Sequence, residues 1–288
     1  MEILTVDGLT KRYPKFTLDG VSFSLEKGFI MGFIGRNGAG KTTTLKSMVR
    51  LVHPDAGTVR ISGFDFEQNE WECKQKIGFV WGGVDYYPKK PLKTIAGVTR
   101  RFFPQWDEET FQNCMGRFEL DPEKRIDQLS SGMRVKFSLA LALSHRAELL
   151  ILDEPTSGLD PVSRDDLLGL FQELVEDGEH SILFSTHIIS DLEKCSDFIT
   201  YIKDGKILAS METDRFREHF LLIKGPEKAW TAELAAVGIG TRKHHFGFET
   251  LIRKTDLPVI AGAEPEPADL ETIMIHIERE ENHEKPII

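Results

Sequence analysis

Cysteine is scarce in this chain: Cys73, Cys114 and Cys195 are the whole complement. They are odd in number and none stands at metal-ligand spacing from another. That pattern excludes a disulfide framework and a zinc site, and fits unremarkable thiols in a reducing, cytoplasmic setting. Long apolar runs are missing as well. No window approaches the roughly 18 uninterrupted apolar residues that a membrane-crossing helix requires. The opening Met1-Glu2-Ile3-Leu4-Thr5-Val6-Asp7 has no basic flank and alternates like a strand, which argues against a signal peptide. Basic residues are outnumbered, 36 Lys and Arg against 46 Asp and Glu, for a net charge of −10. A general nucleic-acid surface needs clustered cations, so no nucleic acid is expected as a partner. The acidity reads as a solvated surface. There is no internal repeat and no long low-complexity segment.

What is present begins with a glycine-rich loop. Gly35-Arg36-Asn37-Gly38-Ala39-Gly40-Lys41-Thr42 fits G-x4-G-K-[ST] at every fixed position, and Thr43 follows. An apolar run, Phe29 to Ile34, precedes it, and a stretch of helical character, Thr43 to Leu51, comes after. Strand, loop and helix are the context in which backbone N–H groups wrap phosphates, because glycine permits the close approach. The helix dipole, the Lys41 charge and a Thr42 hydroxyl able to ligate Mg2+ complete a nucleotide-binding loop. The acidic balance does not argue against ATP, because the loop creates its own local positive field.

With 288 residues the chain makes one large or two unequal domains. Turn signals at Asp7-Gly8 and Asp19-Gly20, with Val21 to Leu25, predict an antiparallel β-region before the loop strand. Thr58 to Ser62 and Lys76 to Val80 read as short strands. From Pro88 to Gln128 the chain turns aromatic and helical, an inserted helical subdomain of about 86–147. Val135 to Ala147 reads as a helix, Leu149 to Leu152 as a strand, and Asp165 to Glu176 as a helix. Ser181 to Phe184 comes next as a strand, then Ile188 to Lys194 as a helix. Phe198 to Ile202 and Lys206 to Leu208 flank Asp204-Gly205, a hairpin signal. Strands alternating with helices mean an α/β sheet with crossovers. The pattern resets after Phe220: strands at Leu221 to Lys224 and Phe246 to Arg253, a helix at Thr231 to Val237, an acidic proline loop over 262–267, and a helix at Leu270 to Glu278. The expected division is therefore 1–219 and a small α+β accessory domain, 220–288.

A second motif is Leu149-Leu150-Ile151-Leu152-Asp153-Glu154-Pro155, an apolar strand that delivers an acid pair to the sheet edge. Asp153 is placed for the Mg2+ shell and Glu154 for polarising a water; taken alone, two acids here also fit a helix cap. A third is Leu129-Ser130-Ser131-Gly132-Met133 before a helix, an anion cradle or, equally, a capping turn. His187 closes Phe184-Ser185-Thr186-His187 after a strand.

In this order the motifs resemble the ATP-binding cassette ATPases, over residues 1 to about 215. The resemblance implies a P-loop NTPase core with an antiparallel β-subdomain and a helical subdomain. Asp153-Glu154 then matches the family's Walker B pair, Ser157-Gly158-Leu159-Asp160 its D-loop, and His187 its switch histidine. Tyr13 looks like the aromatic that stacks on adenine. Glu154 and His187 become the catalytic candidates, Thr42 and Asp153 the metal ligands. Ser130, Gly132 and Asp160 become contacts to the nucleotide of a partner subunit. The signature departs from the family at Ser131 and Met133 but keeps Ser130 and Gly132. After Ile77-Gly78-Phe79-Val80 the family places any residue and then a glutamine, whereas this chain has Trp81-Gly82-Gly83, with Gly82 at the glutamine position. Glycine has no side chain to sense Mg2+ or water, and either water or Asp85 takes that place.

The family works as a head-to-tail dimer closed on ATP, so a homodimer, or a heterodimer with a related ATPase, is implied. Two settings fit: a transporter whose integral membrane permease subunits are separate chains, and a soluble complex such as iron-sulfur assembly. The compact insert, without heptads or cysteine clusters, favours the transporter, peripheral on the inner face of the cell membrane. Arg101-Phe102-Phe103-Pro104-Gln105-Trp106-Asp107 and Ala268-Asp269-Leu270-Glu271-Thr272-Ile273-Met274 are similar to segments of a Gram-positive subgroup of ABC-2 type exporters. That subgroup is encoded beside GntR-type regulators and includes exporters of amphipathic peptides.

Overall fold

The computed structural model describes residues 1–81, 87–258 and 263–280. Gly82, Gly83, Asp85 and Tyr86 lie outside the described residues. The chain divides into two compact units, Met1–Ser210 and Met211–Ile288. The division precedes the expected 219/220 because Phe216, fully buried, packs its ring on Phe220 at 5.4 Å and so belongs to the second unit.

The first unit opens with β1 (Glu2–Tyr13) and β2 (Phe16–Glu26), an antiparallel hairpin, followed by β3 (Ile30–Ile34) and α1 (Lys41–Met48). In β2 the apolar residues Leu18, Val21, Phe23 and Leu25 turn inward and polar residues outward, the alternation of a sheet with one wet face. Next come β4 (Ala56–Ile61), β5 (Phe64–Asp65), α2 (Glu70–Gln75) and β6 (Ile77–Trp81). Helices α3 (Leu92–Thr99), α4 (Glu108–Arg117) and α5 (Ser131–Ser144) fill the interval before β7 (Leu149–Asp153). Then come α6 (Pro161–Val175), β8 (Ser181–Thr186), α7 (Ile189–Cys195), β9 (Phe198–Lys203) and β10 (Lys206–Glu212).

Two sheets result. A four-stranded one runs β2-β1-β4-β5, and a six-stranded one β10-β9-β3-β8-β7-β6. From β9 to β6 the larger sheet is parallel. Every residue of β3, β7 and β8 is buried, as parallel strands covered on both faces must be. The two sheets share one core in which Leu4, Leu9, Phe23 and Ile61 pack with Phe33, Leu45, Ile151 and Leu183. Asp204 and Gly205 both have positive φ, 48° and 79°, so the turn takes the conformation that reverses a strand in two residues.

Helices α5 and α6 start about one turn earlier than their apolar periodicity predicts. Ser130 caps α5 by accepting the Met133 N–H at 3.2 Å. Asp160 caps α6 by accepting the Val162 and Ser163 N–H groups, both at 3.0 Å, with Pro161 in the first turn. A cap satisfies donors that the helix itself cannot, and so extends it over a turn whose residues lie outside the core.

The second unit contains α8 (Thr213–Glu218), β11 (Phe220–Gly225), α9 (Ala232–Val237), β12 (Ile239–His244), β13 (Gly247–Arg253), β14 (Glu264–Pro267) and α10 (Leu270–Arg279). Its antiparallel sheet runs β12-β13-β11-β14, around a core of Ile223, Leu234, Phe248 and Ile252. Two expectations are corrected here. Strand β12, mostly polar, has no counterpart in the sequence reading. The segment expected as an acidic proline loop forms strand β14 from Glu264 onward, pairing with β11. Its prolines are tolerated because β14 is an edge strand, where a missing N–H leaves no neighbour unpaired.

Candidate functional site

The loop from Gly35 to Gly40 links β3 to α1 and holds conformations open to few residue types. Gly40 has φ 118°, and a Cβ there would lie 2.9 Å from Phe16 Cζ. At Gly35 a Cβ would meet the Ile202 carbonyl oxygen at 2.3 Å. Lys41 is 5% exposed, and its ammonium donates to the Gly35 carbonyl at 2.8 Å and the Arg36 carbonyl at 3.4 Å. Arg36, Asn37, Gly38, Gly40, Lys41, Thr42 and Thr43 line a cavity of about 360 Å³, which Phe16, Glu154, Ser157 and His187 complete. Gly35 and the buried Ala39 stand behind this wall, where Ala39 accepts the Gly205 N–H at 2.9 Å.

Strand β8 lies between β3 and β7, so His187 emerges between the loop and the acid pair. Thr42 Oγ1 donates to both Asp153 oxygens, at 3.0 and 3.2 Å. Ser185 Oγ donates to Asp153 Oδ1 at 2.7 Å and accepts the Glu154 N–H at 2.9 Å. The Glu154 carboxylate spans two partners: Lys41 Nζ lies 3.2 Å from Oε1, and His187 Nδ1 lies 2.7 Å from Oε2. Glu154 holds φ 51°, a left-handed conformation that costs a side-chain-bearing residue energy and gathers at functional sites. Thr42 Oγ1 and the buried Asp153 carboxylate are hard oxygen donors and fit Mg2+. Among the described residues no group of three or more His, Cys, Asp or Glu could hold a metal by itself. A cation at Thr42 and Asp153 therefore needs further oxygens, of the kind a phosphate brings.

The other sequence candidates stand apart from this cavity. Ser130, Gly132, Asp160 and Tyr13 are not among the residues lining it. Tyr13 is 42% exposed on the β1–β2 hairpin, paired in register with Phe16, which does line the wall. Three residues escaped the sequence reading. Phe16 carried no motif. Ser185 sits two residues before His187, in a motif read only for its histidine. Asp191, fully buried, accepts the Thr156 hydroxyl at 2.6 Å and so ties the turn after Glu154 to α7.

A groove of about 380 Å³ lies where the end of α1 and β6 meet α5. Its walls include Leu51, Phe79, Phe103, Leu141 and His145. The His145 ring stacks on Phe103 at 3.8 Å and 13°. Burial pushes its pKa down to about 4, against a hydrogen bond to the Gln75 backbone.

A parallel sheet with a phosphate loop at a helix start, and a buried aspartate on a strand one removed, defines a P-loop ATPase core. Residues 18–157 match the family model described as ABC transporter. The ABC transporter ATP-binding protein YtrB of Bacillus subtilis is 33% identical over 72% of this chain and 70% of its own length. The bacitracin transport ATP-binding protein BcrA of Bacillus licheniformis is 31% identical over 75% and 72%. The linearmycin resistance ATP-binding protein LnrL of Bacillus subtilis is 33% identical over 72% and 68%. Among solved structures, an ATP-binding subunit of an ABC transporter superposes with TM-score 0.67 at 25% identity, covering 75% of this chain and 92% of that one. The chain belongs to the ABC transporter family as an ATP-binding subunit, and it is an ATPase.

Proposed function

We propose that this subunit hydrolyses ATP as half of a head-to-tail dimer, with a second copy or a related ATPase. Hydrolysis drives export through separate integral membrane permease subunits at the inner face of the cell membrane. The carrying observation is the split of the motif set. Lys41, Glu154 and His187 meet around one cavity, whereas Ser130 and Gly132 are absent from its wall. The Ser130 hydroxyl accepts the Met133 N–H, so its own proton is free to donate to a nucleotide held by another copy. Donors brought in by closure stabilise the charge that develops on the transferred phosphoryl group.

Within the half site the loop N–H groups and Lys41 bind the phosphates, and Tyr13 offers its exposed face to adenine. Thr42 and Asp153 would hold Mg2+, which would neutralise phosphate charge. Once Lys41 turns to the phosphates, Glu154 Oε1 is released to accept a proton from water. His187 keeps the carboxylate oriented through Oε2, and Asp160 of the second copy closes the rim. Among the described residues no helix is long and apolar enough to cross a membrane. The apolar groove by β6 has the size and character to take one turn or two of a partner helix. Export as the direction is supported by a relative named for Nod factor export, from Burkholderia orbicola, 32% identical over 73% of this chain.

The test is Glu154→Gln. Turnover should fall at least about 100-fold, the scale of a lost general base. MgATP binding should persist, and size-exclusion with MgATP should show a dimer. Near-normal turnover would remove Glu154 as the base, and a monomer would remove the closed dimer. Purification in mild detergent should recover an integral membrane protein with this chain; a complex without one would overturn the permease coupling.

A further inference from the structure

Trp81 ends β6 and is the register partner of Asp153 across the parallel β6–β7 pair. The ammonium of Lys46 lies over its indole, 3.8 Å from the ring centroid. Lys46 follows Thr42 by four residues in α1, so the two side chains share one face of that helix. Phe79 stands two residues before Trp81 on the same face of the strand and packs its ring against the indole at 5.9 Å and 54°. Among the described residues no carboxylate pairs with Lys46, which makes the indole its electrostatic partner.

A lysine stem resting on an aromatic would satisfy packing alone. Here the contact joins two elements that each carry one of the candidate metal ligands or its neighbour. Helix α1 presents Thr42, and β6 borders Asp153. A shift of α1 by a fraction of an ångström changes the approach of Thr42 Oγ1 to the Asp153 oxygens, now 3.0 and 3.2 Å away.

We propose that Lys46 and Trp81 form a positioning latch, a cation–π contact that fixes α1 against the end of β6 and so sets Thr42 for binding of the metal–nucleotide pair. The latch rests on the reading of Thr42 and Asp153 as metal ligands. A cation–π contact of this kind corresponds to about three- to thirtyfold in an equilibrium constant.

The experiment uses the full chain carrying Glu154→Gln, with Trp71, Trp106 and Trp230 replaced by phenylalanine so that Trp81 alone emits. Addition of ATP with Mg2+ should change Trp81 emission, while ATP in chelator should change it little. Lys46→Met should suppress that response and raise the Mg2+ concentration for half-maximal nucleotide binding by roughly three- to tenfold. ATP affinity without Mg2+ should stay unchanged. Lys46→Arg, which can lie on the same indole, should restore the Mg2+ requirement; a merely structural lysine would give no such rescue. With labelled nucleotide as the probe, Lys46→Met combined with Trp81→Leu should be no worse than the poorer single variant. Multiplied effects in the double variant, or an unchanged Mg2+ requirement in Lys46→Met, would overturn the latch. If Thr42→Ala also left the Mg2+ requirement unchanged, the metal-site reading itself would fall, and the latch with it.

Discussion

Replacing His145 by leucine should make the folded chain less sensitive to mild acid. His145 follows α5 and is 5% exposed, stacked on Phe103, with no hydrogen-bond partner for Nδ1 among the described residues. Burial holds its folded pKa at about 4, against an ordinary value of 6.5. Between these two values the unfolded chain binds a proton at this ring and the folded chain does not. Stability therefore rises with pH across the window, is complete above about 6.5, and is lost as pH falls toward about 4. At about pH 5 roughly 1.5 pKa units of the difference have been expressed, or about 2 kcal/mol. That is a substantial share of a typical stability of about 5–15 kcal/mol. The assay is urea unfolding of wild type and His145→Leu at about pH 7.5 and about pH 5. Other acid-sensitive groups are common to both proteins and cancel in the comparison. The wild type should lose about 2 kcal/mol more than the variant over this interval. Equal losses in the two proteins would refute the argument and mean that the buried ring takes up its proton in place.

Lys41→Ala should weaken MgATP binding by at least about tenfold, the scale of a lost charge-assisted contact. Isothermal titration decides this, and unchanged affinity would undercut the phosphate-loop assignment. Ser130→Ala removes the α5 cap and should cost about 1 kcal/mol in thermal or urea unfolding. It should also slow turnover while leaving nucleotide binding by the separate chain intact; unaffected turnover would assign Ser130 to capping alone.

Much of this protein was legible from local patterns. The phosphate loop is a string of glycines whose backbone freedom is written in residue type. The strands β3, β7 and β8 each carry a short apolar run, and the Asp204-Gly205 turn carries its own conformational signal. The features that escaped are non-local or polar. The cap at Asp160 lengthens α6 by a turn that lies outside the core, and the capping turn at Ser130, one of two readings its motif left open, does the same for α5. Strand β14 hides behind two prolines that only an edge position allows. Phe16 reaches the cavity because the β1–β2 hairpin folds over the loop, a placement that no motif encodes.

By itself the sequence determined which groups this chain carries: a loop for phosphates, an acid pair at a strand end and a histidine after a strand, each marked by residue types within a few positions of one another. Only the tertiary structure decided how they meet. Strand β8 enters between β3 and β7, so residues far apart in the chain converge until Lys41 and His187 hold the two oxygens of Glu154. The same pairing sets Trp81 beside Asp153 and beneath Lys46. The physical reason is that strand order and register arise from burial summed over the whole sheet, and no short stretch of residues contains that sum.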